Sequence, residues 1–181
     1  MNYLRHPVIG RLSNTFILCG LADGASQLFL SSPSRVDPER SVRFALSGSL
    51  SVVPVWFGWN LLLANQESVL RRIMLEALLF GPLYLSSLLC WSGTIATRSP
   101  VEGFRVVKQS ALSLYWDALK VVPLYNALVW FVVAPHMRGY ALSGCQFFWN
   151  IYVSWFVDNA LGRKSAPPLL SEDLPRLANR S

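Results

Sequence analysis

Charge is scarce in this chain. Lys, Arg, Asp and Glu together make up 14% of its 181 residues, against about 25% in an ordinary soluble domain, so a single water-facing globular core is a poor fit. Cysteine is scarcer still. Cys19, Cys90 and Cys145 lie in apolar blocks without CxxC-type spacing, which argues against a disulfide framework and leaves them as small apolar fillers. Only two histidines occur, His6 and His136, each beside a proline and neither with the partners that a zinc site or a catalytic dyad needs. There is no glycine-rich phosphate loop, no nucleophile elbow and no metal-spaced acid/histidine motif. Internal repeats and low-complexity tracts are missing too. The expectation from these absences is a protein that is not an enzyme and holds no metal or cofactor.

What the chain has is apolar residues in long blocks. Hydrophobic residues reach 52% and mean hydropathy is +0.36. They concentrate in Leu12–Leu30, Phe44–Ala64, Ile73–Thr97, Leu112–Ala134 and Tyr140–Val157. Crossing a bilayer takes roughly 20 residues, with a range of ~17–25, and each block is within or near that length. The expected fold is therefore all-α: a polytopic transmembrane bundle of four to five kinked membrane helices. It would form one domain over residues 1–161, followed by a mobile polar tail over 162–181 that holds Pro167-Pro168. The fourth block contains Asp117, Lys120 and Pro123, so it reads as a full span, a tilted interfacial helix or a broken helix. Gly81-Pro82 should kink the third block, because proline removes a donor and crowds the preceding turn.

Each block carries polar residues that share a helical face. In the first, Gly20, Asp23, Gly24 and Gln27 fall at i, i+3, i+4 and i+7. A carboxylate at that depth facing lipid costs ~2.5–3.5 kcal/mol on insertion scales, so this stripe should face other helices, and its small residues let one come close. The second block repeats the pattern with Arg43, Ser47, Ser51, Pro54 and Gly58, and the last with Gly139, Ser143, Gln146, Asn150 and Ser154. Glu76 enters the third beside Arg71-Arg72, and the fourth has Asp117 and Lys120 at i,i+3 and then Asn126. Two readings stand side by side. The polar groups lock helices together, at an average of ~0.6 kcal/mol per contact, or they line an aqueous path. The pore-lining or helix-packing candidates are Gly20, Asp23, Gly24, Gln27, Arg43, Glu76, Asn126, Gln146 and Asn150. The hinge candidates are Pro54, Pro82 and Pro123.

The formal net charge of +6 is distributed between the blocks, at Arg35, Arg40 and Arg43, at Arg71 and Arg72, at Arg98, Arg105 and Lys108, and at Arg163 and Lys164. A nucleic-acid binder clusters its basic residues on one face. This distribution instead suits topology determinants and lipid-headgroup contacts, so no direct nucleic-acid partner is expected. Before Asp23 the chain has Arg5 and Arg11 and no acid, the bias of a mitochondrial targeting segment. The expectation is an uncleaved first helix that doubles as an internal address.

The ordered motifs resemble a known family. His6-Pro7, Gly20-Leu21-Ala22-Asp23 and Ser26-Gln27 are similar to the opening signature of the Mpv-seventeen and peroxisomal membrane protein family. Arg43-Phe44, Gly48, Pro54 and Trp59 resemble its next block. Pro123, Asn126, Pro135, Arg138 and Trp149-Asn150-Ile151-Tyr152-Val153-Ser154 resemble its closing block. The chain departs from the pattern at Glu76-Ala77, where an Asp-Gln pair is usual, and at Leu119 and Val122, where tryptophans are usual. It departs again at Asn60 in place of Tyr and at Val53 in place of Gly.

The resemblance implies a small multi-pass protein of the inner mitochondrial membrane, or alternatively the peroxisomal membrane. It implies channel-like permeation of small solutes, linked in mitochondria to maintenance and expression of organellar DNA. The expected partners are the lipid bilayer and small solutes, with homo-oligomerisation compatible with the pattern. In the channel reading Asp23 and Glu76 set the charge preference, Arg43 balances them, and Pro54, Pro82 and Pro123 kink the helices. The competing reading is a non-conducting scaffold in which the same groups pair off. An embedded enzyme would need Asp23 to meet His6 or His136.

Overall fold

The computed structural model describes residues 7–30, 36–63 and 68–165, with the side chains at 7–9, 11, 53, 54, 56–63 and 163–165 excepted. The chain is all-α. Its five helices are α1 (Pro7–Phe29), α2 (Pro38–Leu63), α3 (Val69–Thr97), α4 (Pro100–Val132) and α5 (Arg138–Ser165). Each overlaps one apolar block and begins ahead of it. The fourth block is one continuous helix despite Pro123. The helix that ends the expected domain runs on to Ser165, and the rest of the expected tail lies outside the described residues.

Helix starts follow local chemistry. Asp37 Oδ1 accepts from the backbone N–H groups of Glu39 and Arg40 (2.9 and 3.2 Å), so Asp37 is an N-cap with Pro38 at the first helical position of α2. Ser68 caps α3 by accepting from Arg71 N at 3.4 Å. Between α3 and α4 the chain reverses in two residues, with Arg98 in the left-handed region (φ 54°) and Pro100 opening the next helix.

The helices form a closed ring in chain order. Each packs on its sequence neighbours, and α5 returns to α1. Successive neighbours run antiparallel, so an odd number of helices leaves α1 and α5 parallel. Two contacts in register establish this: Asp23 meets Ser154, and four residues earlier on both helices Cys19 meets Asn150.

Glycines set the closest approaches. A methyl group on Gly93 would lie 2.9 Å from the Cα of Gly103 across the α3–α4 hairpin, and one on Gly48 would lie 2.6 Å from Cys19 Sγ. The apolar core, including Phe44, Leu85, Leu88, Leu89, Leu114 and Val153, fills the half of the ring nearer the α3–α4 turn.

Outward faces are strongly apolar. Leu21, Leu28 and Phe29 of α1, Phe104, Leu112 and Phe131 of α4, and Tyr140 and Phe148 of α5 are all more than 60% exposed. Among the described residues, however, only α3 is both long and apolar enough to count as a membrane span by hydropathy. The expectation is therefore met in helix class and helix number, but of the expected four to five membrane spans only one meets that criterion among the described residues. The polar residues explain the difference. Asn14, Asp23 and Gln27 dilute α1, five charged side chains from Glu102 to Lys120 dilute α4, and Gln146, Asn150, Asp158 and Asn159 dilute α5.

Candidate functional site

The expected polar residues separate into two sites at opposite ends of the ring. The first is a knot where the end of α1, the start of α2 and the end of α5 meet. Asp23 is 1% exposed, and each of its carboxylate oxygens accepts from two donors. Oδ1 takes Arg40 Nε (3.0 Å) and the Ser154 hydroxyl; Oδ2 takes Gln27 Nε2 (2.7 Å) and Ser41 Oγ (2.7 Å). Arg40 also reaches Asp158 at 3.0 Å. Gln27 fixes the α1–α2 connection, donating to the Asp37 carbonyl (2.9 Å) and accepting from the Asp37 N–H. Asp23 is thus fully paired.

One expectation is corrected here. The cation that balances Asp23 is Arg40, while Arg43, three residues on, turns to Asp37 and Glu39 at 3.9 and 3.6 Å. Both lie near one face of α2, and only the register of α2 against α1 selects between them. The serines of the α2 stripe satisfy themselves. Ser47 and Ser51 donate to the carbonyls of Arg43 and Ser47, four residues back (2.8 and 2.7 Å), and so pack as small residues. Gly20 stands 3.7 Å, measured from a methyl built on it, from Ala45 Cβ, whereas Gly24 has no neighbour within 4 Å of such a methyl.

The second site is a cavity of about 730 Å³ in the other half of the ring, lined by all five helices. That lies within the ~300–1,000 Å³ of small-molecule sites. Glu76, Asn126, Gln146, Asn150 and Pro123 line it; Asp23, Gln27 and Arg43 do not. Its polar groups form short chains. Asn126 Nδ2 donates to Glu76 Oε2 (3.0 Å), and Tyr125 donates to Gln146 Oε1 (3.4 Å). Gln146 Nε2 in turn donates to Asn150 Oδ1 (3.2 Å). Aromatic walls come from Phe80, Tyr84, Tyr115, Tyr125, Trp130 and Trp149. On the side facing the knot the lining stops at Leu18, Leu85, Tyr115 and Asn150, where the apolar core begins.

Pro82 shapes this cavity through the backbone. The expected kink takes the form of a π-helical segment, Glu76–Phe80, within α3. The N–H of Gly81 bonds to the Glu76 carbonyl, five residues back, which removes the usual partner of the Ala77 carbonyl. The next nitrogen belongs to Pro82 and carries no hydrogen. The orphaned Ala77 carbonyl accepts instead from the Tyr115 hydroxyl of α4 at 3.2 Å. Single π-turns inside helices occur often at functional sites, and here the turn carries the cavity's carboxylate. Pro54 lies within α2, with its side chain outside the described residues.

Among the described residues no pair of groups is assembled for acid–base work on Asp23. His136 is exposed in the short turn before α5, about 27 Å along the helix from Ser154 at ~1.5 Å per residue. His6 lies outside the described residues. Three features escaped the sequence reading. Gly93 and Gly103 flank the Arg98-Ser99 turn almost symmetrically, a signal that was available. Tyr152 donates to Asp117 Oδ2 (2.6 Å), joining α5 to the expected Asp117–Lys120 pair (3.1 Å). Arg72 and Arg138 both lie over the Trp130 ring. Comparisons with protein-family models, curated proteins and solved structures return no match to this chain.

Proposed function

We propose that this chain is a polytopic membrane protein of the Mpv-seventeen and peroxisomal membrane protein type, and that its cavity is the solute-holding part of a channel-like path. The observation that carries this reading is the reversed polarity of the ring. Asp23, Gln27, Asn126 and Asn150 are buried while large apolar side chains cover the outward faces. Monomeric soluble proteins rarely expose apolar patches larger than a few hundred Å², and lipid is the solvent such faces suit. The family-like motifs also meet in space: Asp23 touches Ser154, and Asn126 touches the carboxylate that stands in the Asp-Gln position. On this reading Glu76 sets the charge preference of the path, and the apolar layer of Leu88, Leu114 and Val153 closes it toward the knot. The inner mitochondrial membrane is the proposed site, with the peroxisomal membrane as the alternative. A role in organellar DNA maintenance or expression would be indirect, through the solutes passed.

The test is solute flux and single-channel current in liposomes. Wild type should conduct, and Glu76→Gln should change ion preference without loss of folded protein. Absence of current from folded, inserted wild type would refute the path. The full pairing of Asp23 supports a second reading, a non-conducting scaffold, and that reading gains if partner recovery rather than flux responds to variants.

A further inference from the structure

The cavity ends at an unusual charge arrangement. Arg72, in the first turns of α3, and Arg138, at the start of α5, both place their guanidinium carbons over the indole of Trp130, 5.1 and 5.0 Å from the ring centre. Their Cζ atoms are therefore no more than about 10 Å apart by those two distances. Among the described residues neither forms an ion pair within 4 Å, as Arg71, Arg98 and Lys108 also do not, although Arg72 is attracted by the Glu76 carboxylate one turn on. Glu76, one turn beyond Arg72, is engaged by Asn126. Arg138 spends only its Nε, on the Val133 carbonyl at 3.1 Å, so its forked Nη donors stay available. Arg72 and Trp130 line the cavity directly.

Two like charges held on one aromatic ring repel each other. The ring's π face offsets part of that cost; the N-terminal ends of α3 and α5 add positive potential, and the C-terminal end of α4, where Arg138 bonds the Val133 carbonyl, takes part of it back. We propose that Arg72 and Arg138 form a binding site for a phosphate group at the end of the cavity. A tetrahedral oxyanion can accept from two guanidinium forks at once, and the planar fork of arginine suits phosphate geometry. The phosphate belongs either to a lipid headgroup or to a soluble phosphate compound. The inference deepens the reading of the cavity as a solute path by naming the chemistry held at its end. It is tested by binding without flux, so either reading can fail alone.

Purified full-length protein in neutral detergent is titrated with inorganic phosphate against chloride at equal ionic strength. A second titration uses micelles doped with dioleoyl phosphatidic acid against dioleoyl glycerol. Indole fluorescence and melting temperature are followed in both. Wild type should give a saturable response, weakened about tenfold or more in Arg72→Gln and in Arg138→Gln, as expected for loss of one charge-assisted contact. Arg105→Gln, which removes an exposed arginine paired with Glu102, should respond as wild type does. A response to inorganic phosphate assigns a soluble ligand; a response to phosphatidic acid alone assigns a headgroup. No saturable response to either, or equal binding by the Arg72→Gln/Arg138→Gln double variant, overturns the site. If Arg138→Gln fails to fold through loss of its bond to Val133, Arg72→Gln carries the test, because its guanidinium makes no hydrogen bond among the described residues.

Discussion

Replacing Asp23 by Asn distinguishes a structural knot from a pore wall. Each Asp23 oxygen faces two donors. Whichever way it flips, an amide puts its NH2 group against one fixed donor, Arg40 Nε or Gln27 Nε2, beside a serine hydroxyl that can turn to accept, so Asn is not a silent isostere here. Gln27 cannot turn to help, because its own Oε1 accepts from the Asp37 N–H. Removing one partner of a buried ion pair costs about 3–5 kcal/mol. Arg40 is 15% exposed and keeps Asp158 at 3.0 Å, which lowers the expected loss to about 2–3 kcal/mol. At about 2–4 °C per kcal/mol for a chain of this size, the melting temperature should fall by about 4–12 °C. The assay is thermal unfolding of the purified protein in detergent, run with Arg40→Gln and the double variant. The double variant should lose less than the sum of the singles, with coupling of about 1 kcal/mol or more. Flux through the surviving folded fraction should be unchanged. An Asn variant that melts within about 1 °C of wild type yet alters current or selectivity would refute the reasoning and return Asp23 to the path.

Two further substitutions probe how the ring is held together. Gly103→Ala would drive a methyl into the Cys90 carbonyl and the Thr94 side chain of α3; the expected cost is about 1–3 kcal/mol or more, read as a lower melting temperature, and wild-type stability would show that the hairpin is not packed this tightly. Tyr115→Phe removes the only donor left to the Ala77 carbonyl among the described residues, at about 1–3 kcal/mol. Urea or thermal titration should detect that loss, and no change would mean the carbonyl is satisfied elsewhere.

Helix class and the burial of the polar stripes could be read from the residues because both depend on local spacing. Asp23, Gln27, Ser47, Ser51, Asn126, Asn150 and Ser154 all turn inward, as a 3.6-residue period with one costly face requires. Which stripe meets which was not readable. Asp23 and Glu76 were read as one charge system, yet the parallel pairing of α1 with α5 carries Asp23 to one end and the antiparallel α3–α4 hairpin carries Glu76 to the other. The choice of Arg40 over Arg43 likewise depends on the interhelical register. The π-segment was half visible: Gly81-Pro82 signals a disruption, but a kink and a π-turn relieve the same missing donor, and Tyr115 lies 38 residues away in sequence from the carbonyl it serves.

This separation assigns different roles to the two halves of the ring. The knot half carries an apolar layer and a carboxylate with no acceptor left to offer, and it holds α1, α2 and α5 in register around a small pocket of about 50 Å³ beside Asp23 and Arg40. The cavity half keeps a carboxylate with one side-chain donor, two amides and two guanidiniums over one indole, of which Arg72 is attracted by Glu76 one turn away and Arg138 bonds the Val133 carbonyl. Polar groups that stay under-committed inside a fold cost stability unless something else satisfies them. A bundle that needed only to hold itself together would gain by pairing Arg72 and Arg138 as it pairs Arg40. Leaving them on one indole at the end of a solute-sized space makes sense when an external anion completes the arrangement.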